Sequence, residues 1–173
     1  MREFTDQELY LGLEHAKTLN EHAGRAILEK FQLEQPVLAQ TLLGVFPSVI
    51  ADQDQGLAHL FMDLCFDILC TFQHARGSLP SQQALGLDWL QEKAADVDAE
   101  LKALMSGKSA PARGTSTDNQ QQGLVCFMHA CVRQHVSDKP AAAEAVRTIE
   151  TLLFVSVQLF CSVYDAAAGK TLH

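Results

Sequence analysis

The stretch LAHLFMDLCFDILC, residues 57–70, carries apolar side chains almost all the way round a helix. A helix of this kind is buried at the centre of a helical bundle, because no face of it is suited to water. A second stretch, residues 152–164, has the same character. At about 13 residues it is shorter than the ~20 that a membrane-spanning helix needs, so we interpret it as a buried helix. The sequence therefore predicts two central helices, near 54–76 and 139–168, lying side by side and wrapped by the rest of the chain.

The remaining pattern is helical as well. Thr5 and Glu8 have the spacing of a capping box, which predicts that a helix begins at residue 5. A proline begins and another ends an apolar segment over 36–46, and residues 80–106 show the clearest amphipathic pattern in the chain. No β-type alternation is found. We predict an all-α, single-domain bundle of five to six helices over 1–173, with additional helices at 5–35, 36–46, 80–106 and 119–136.

One long polar segment interrupts this pattern. Residues 106–122 contain Gly, Ser, Thr, Pro, Asn and a run of Gln, with no large apolar side chain. Such composition is typical of a surface loop, so we expect an exposed, flexible loop at about 106–122.

Composition bears on compartment and partners. The 173 residues carry a formal charge of −8 and give a pI near 5.2, and an acidic surface repels nucleic acid and anionic lipid. We therefore expect no nucleic-acid partner and no membrane association. Residues 1–6 turn acidic at once and resemble no signal peptide. The five cysteines lie in apolar helical runs, as reduced thiols do, which favours a cytoplasmic location.

A polar stripe on the helix near 54–76 is the main candidate site. His59, Asp63, Asp67, Cys70 and His74 fall within one quadrant at 100° per residue. Imidazoles and carboxylates in a bundle core can bind zinc, iron or manganese, so the candidate metal ligands are His59, Asp63, Asp67 and His74. The Glu-x-x-His motif of di-metal bundles is absent. The alternative is that these side chains face a helix end, a seam between helices or an arginine.

A second group of potential ligands lies at residues 126–135. Cys126 and His129 share one helical face, and so do Cys131 and His135. The two cysteines point about 140° apart on a single helix, so the four side chains cannot converge on one ion. A Cys/His pair from this helix could contribute to the polar stripe, but small core thiols are the commoner explanation.

No nucleophile elbow, phosphate loop, zinc-protease motif or dinucleotide fingerprint occurs in the chain. We therefore predict a soluble, non-enzymatic protein of the interaction or regulatory type. The two central helices and the segment 36–50 all need cover, so we expect a homodimer in which a second subunit supplies part of it. Apolar helix faces would also bind a protein partner. The alternative is a sensor-like protein that binds a metal or small ligand through the His/Asp stripe.

Overall fold

The computed structural model describes residues 1–107 and 121–170, and every regular element in these two ranges is helical. The all-α class is therefore confirmed, while the helices outnumber the five to six predicted. Most of the loop expected over 106–122 lies outside the described residues, and Gln121 near its far end is fully buried. The elements are α1 Asp6–Thr18, α2 Glu21–Glu34, α3 Pro36–Gln40, a π-helical turn Thr41–Val45, α4 Phe46–Ala51, α5 Gln55–Arg76, α6 Gln82–Leu85, α7 Leu87–Met105, α8 Gln122–Asp138 and α9 Ala143–Lys170.

The first helix begins as the sequence predicts but ends earlier. The Glu8 backbone N–H donates to Thr5 Oγ1 at 3.2 Å, and the Thr5 N–H donates to Glu8 Oε2 at 2.9 Å. The single helix expected over 5–35 is wrong, because Leu19 is extended and Asn20 caps a new helix by accepting from the Ala23 N–H. A local side-chain cap here outweighs an apolar stripe that runs through both helices.

The segment from Pro36 to Ala51 stays helical past the predicted end at Phe46. The Phe46 N–H donates to Thr41 O, five residues back, which is the hydrogen bond of a π-helical turn. This turn ends just before Pro47, which then lies in the first turn of α4, where a missing N–H costs little.

The two apolar helices occupy the middle of the fold. α5 packs against α1, α4, α8 and α9, while α9 also contacts α6 and α7. Among the described residues, α5 and α9 are the two helices long and apolar enough to cross a membrane. About half of each helix's most apolar stretch is buried inside the protein, and buried core helices share this length and composition, so the finding is weak evidence for a membrane span.

A row of aromatic rings joins these central helices. Phe72 of α5 stacks on Phe160 and Tyr164 of α9, with ring centroids 5.3 and 5.8 Å apart. Phe31 of α2 continues the row at 5.9 Å from Phe160. The Tyr164 hydroxyl donates to Gly77 O at 2.8 Å, just beyond the end of α5. The row therefore fixes α5, α9 and α2 to one another.

Candidate binding groove

A groove runs along the outer helix α7, which we call the α7 groove. It encloses about 180 Å³ between α7 on one side and α3 with the π-helical turn on the other, and Leu159 of α9 contributes to its lining. The lining consists of Val37, Leu38, Thr41, Val45, Trp89, Leu90, Lys93, Ala94, Val97, Asp98, Leu101 and Leu159. Nine of these twelve side chains are apolar, so the groove favours an apolar occupant.

The walls of the groove are incompletely covered. α7 is 19 residues long, yet none of its residues is buried, and its apolar side chains Leu90, Val97 and Leu101 are half-buried. On the opposite wall Val37 and Val45 are 45% and 39% exposed. An amphipathic helix normally buries its apolar stripe against the core. The apolar face of α7 therefore retains surface that a further element would cover.

The polar groups of the lining already have partners within the chain. The Thr41 hydroxyl donates to Val37 O at 2.9 Å, and the Lys93 ammonium lies 2.7 Å from an Asp96 oxygen. Asp98 forms an ion pair with Lys102, one turn further along α7. These contacts neutralise the charges locally and leave the groove floor apolar.

The predicted metal ligands lie on another part of the molecule. His59, Asp63 and His74 are exposed, so the expectation that they lie on a buried helix face is wrong for these three. His59 contacts Gln55 at 3.4 Å, and the His74 ring lies 5.3 Å from the His15 ring of α1. α5 is rotated so that these three side chains lie at its solvent-facing edge, while Cys70 of the same stripe is buried.

The structure does not bring the four predicted ligands to one point. Among residues 1–107 and 121–170, no group of three His, Cys, Asp or Glu side chains is arranged to hold a metal ion. The metal site at His59, Asp63, Asp67 and His74 stays a prediction from the sequence, and so does zinc or iron as its metal.

Asp67 is the member of the stripe that the fold has partly enclosed. Burial raises the pKa of this carboxyl to about 6, Asp63 adds repulsion, and Lys17 of α1 opposes the rise. Asp67 in turn contributes to the raised pKa of Cys131 on α8, although burial is the larger cause. Asp67 therefore lies at the seam of α1, α5 and α8, where its charge is poorly solvated.

We expect Asp67→Asn to stabilise the protein at neutral pH. The folded-state pKa of about 6 lies above the ordinary value of 3.8, so between these values only the folded state holds the proton. The free energy of unfolding therefore decreases as the pH rises from 3.8 to about 6. Asn does not titrate, so Asp67→Asn removes this decrease. With the carboxyl half-exposed, we expect a gain on the order of 1 kcal/mol at pH 7.5 and almost none near pH 3.5.

Urea unfolding of both proteins at the two pH values measures this gain. Asp63→Asn is the matched control, because Asp63 is exposed and affects stability mainly by repelling Asp67 and so raising its pKa. An equal gain at both pH values would contradict a titration of Asp67.

The cysteines and histidines of α8, which the structure describes in full, form no group arranged to hold a metal ion either. Cys126 is exposed and Cys131 half-buried, so the expectation of buried thiols fails for these two. The His129 ring contacts Glu150 O on α9 at 3.0 Å. Burial raises the pKa of Cys65, Cys70 and Cys161 to about 12, so these three thiols stay protonated and are poor nucleophiles.

No family model, no curated protein and no solved structure matches this chain.

The sequence pointed to parts of the groove without assembling it. It predicts that the segment 36–50 needs cover and that residues 80–106, which include Leu90 to Leu101 of α7, form an amphipathic helix. Trp89 was missed, because a single aromatic residue on an outer helix carries no periodic signal. That these two elements face each other across a gap follows from tertiary packing, in which α4 and α7 each contact α9.

Proposed function

We propose that this protein is a non-enzymatic interaction protein of the regulatory type, which binds an apolar helical segment of another polypeptide in the α7 groove. The observation that supports this proposal is the incomplete burial of α7. A 19-residue amphipathic helix without a buried residue stands beside exposed Val37 and Val45. Recognition by laying an amphipathic helix into an apolar groove is a recurring mode of binding.

The remaining exposure is large enough to support binding. Full burial of a Val or Leu side chain contributes about 1.5–3 kcal/mol. An occupant that covers the exposed part of four such side chains, roughly a third of each, gains about 2–4 kcal/mol before the cost of association. Val37, Val45, Leu90 and Leu101 are the four that we expect to contribute most.

The size of the groove favours a helix over a small molecule. Its volume of about 180 Å³ is below the roughly 300–1,000 Å³ of small-molecule pockets, and a cavity of about 150 Å³ holds benzene. The deepest part therefore accepts one or two large side chains. Its lining from Trp89 to Leu101 extends about 18 Å along α7, which is three helical turns of an occupant.

The homodimer predicted from the sequence is a separate proposal. Its basis was the cover that α5, α9 and the segment 36–50 require. Within the described residues one chain supplies much of that cover, since Leu42, Phe46 and Ile50 are at most 1% exposed. Sedimentation measures whether a second copy associates.

A selection experiment tests the groove. The probe is a displayed library of amphipathic helical peptides of about 16 residues, with leucines fixed on one face and the other positions randomised. We expect selected peptides to change the fluorescence of Trp89, the single tryptophan of the chain. The double variant Val37→Gln, Val45→Gln should weaken binding about ten-fold, because it replaces apolar wall with polar amide.

The matched control places the same substitution on exposed apolar residues outside the groove. Tyr10 and Leu11 of α1 are 63% and 43% exposed, so Tyr10→Gln, Leu11→Gln should leave binding within about two-fold. Equal loss in both double variants, or no enriched peptide, would overturn the proposed function.

A further inference from the structure

The two walls of the α7 groove differ in charge. Residues 36–51, which form α3, the π-helical turn and α4, contain no Asp, Glu, Lys or Arg. α7 carries five carboxylates and two lysines, a net charge of −3. Asp98 lies in the lining, and helical periodicity places Glu100 on the same side of α7, whereas it places Asp88 on the far side. An occupant of the groove therefore meets one neutral wall and one wall bordered by carboxylates.

The lysines of α7 do not cancel this field. Lys93 is shared between Asp96 at 2.7 Å and Glu92 at 3.4 Å, and Lys102 pairs with Asp98. Asp88 and Glu100 add two further carboxylates to the same helix. Because both lysines are already paired on α7, Glu100 is a surplus carboxylate on the groove side of the helix that a partner's cation can approach.

From this distribution we infer that the occupant is a basic amphipathic helix of another protein, with its apolar face in the groove and its lysines or arginines along α7. The inference rests on the proposed function and names the class of partner. Asp98 lines the groove with its side chain 60% exposed, and its ion pair with the 74% exposed Lys102 is weak enough for a partner's cation to compete for the carboxylate. Trp89 adds an aromatic side chain to the lining, and aromatic rings attract cations as well as apolar groups.

Two other occupants fit the groove less well. The chain's own residues 108–120 contain no large apolar side chain, so they lack anchors for an apolar groove. A second copy would bring another α7 of charge −3 on a molecule of charge −8, and like charges across an interface oppose association.

The test uses two synthetic peptides of about 16 residues with the same leucine face. One has lysines and the other glutamates on its polar face, and neither contains tryptophan. Titrated into the full chain and followed by Trp89 fluorescence, the lysine peptide should bind about ten-fold more tightly. The difference in affinity between the two peptides should decrease as the salt concentration rises from about 0.05 to 0.5 M, since the carboxylates of α7 are exposed and salt screens them.

A charge reversal within the groove distinguishes electrostatic attraction of the peptide from a loss of folding in the variant. Asp98→Lys should weaken binding of the lysine peptide about five-fold and strengthen binding of the glutamate peptide, because the new cation repels the first peptide and attracts the second. Glu29→Lys makes the same change on exposed α2, outside the groove lining, and should leave both affinities within about two-fold.

The outcomes distinguish this inference from the function on which it rests. Equal affinity of the two peptides, weakened alike by Val37→Gln, Val45→Gln, overturns the charge inference and leaves the groove as a binding site. No fluorescence change with either peptide overturns both. A dimer in sedimentation that Val37→Gln, Val45→Gln dissociates identifies a second copy as the occupant and overturns the inference.

Discussion

Replacing Phe72 with alanine is expected to lower the free energy of unfolding by about 3–5 kcal/mol. The Phe72 ring is fully buried and contacts three other rings, with centroids 5.0 Å from Phe4, 5.3 Å from Phe160 and 5.8 Å from Tyr164. Removing it takes away its own burial and leaves a cavity bordered by α5, α9 and the segment before α1. Rigid neighbours on several sides prevent collapse of that cavity, so the loss of stability should lie in the upper part of the range expected for Phe→Ala.

Urea unfolding monitored by far-ultraviolet circular dichroism measures the loss. Phe66→Ala is the matched control, because it makes the same change on the same helix at a half-buried site. We expect the control to cost less than half as much as Phe72→Ala. Equal losses would mean that the aromatic row does not join the two central helices as described.

Gly12→Ala is expected to destabilise the protein by about 1–3 kcal/mol, although alanine is the better helix former. A Cβ atom at Gly12 would lie 2.8 Å from the Thr71 Cα atom on α5. Since the obstacle is backbone, no rotamer change can relieve the contact, and α1 would have to move away from α5. Thr71 is itself fully buried, and its hydroxyl donates to Asp67 O at 2.7 Å.

Gly24→Ala provides a control of opposite sign. At Gly24, inside α2, the nearest atom to an added Cβ is Phe66 Cζ at 3.5 Å, an ordinary contact. The helix propensity of alanine should then stabilise the protein by about 0.5–1 kcal/mol. Thermal melting of the two variants measures both effects, and a gain in stability for Gly12→Ala would contradict close packing of α1 on α5.

Phe72→Ala and Gly12→Ala probe the tightly packed part of the molecule, whereas the α7 groove lies in its less buried part. α5 and α9 contribute many fully buried side chains, whereas α7 contributes none. Elements with few buried contacts open and exchange partners most readily. The contrast is consistent with a rigid helical core that presents one adaptable surface.

The predicted site illustrates what helical periodicity leaves open. His59, Asp63 and His74 share one face of α5, as their spacing requires, and that face points to solvent. Periodicity fixes the angles between residues on one helix but not the rotation of that helix against its neighbours. The packing of α1, α4, α8 and α9 around α5 sets this rotation, and it encloses Asp67 only in part.

The sequence by itself determined the helical class, the apolar character of α5 and α9, and the capped start at Thr5, because each depends on residues close together in the chain. Only the tertiary structure decided the outward rotation of the His/Asp stripe and the α7 groove. A groove exists where two helices rest on a third without filling the space between them. That space depends on the contacts of α4 and α7 with α9, and no pattern within one helix encodes it.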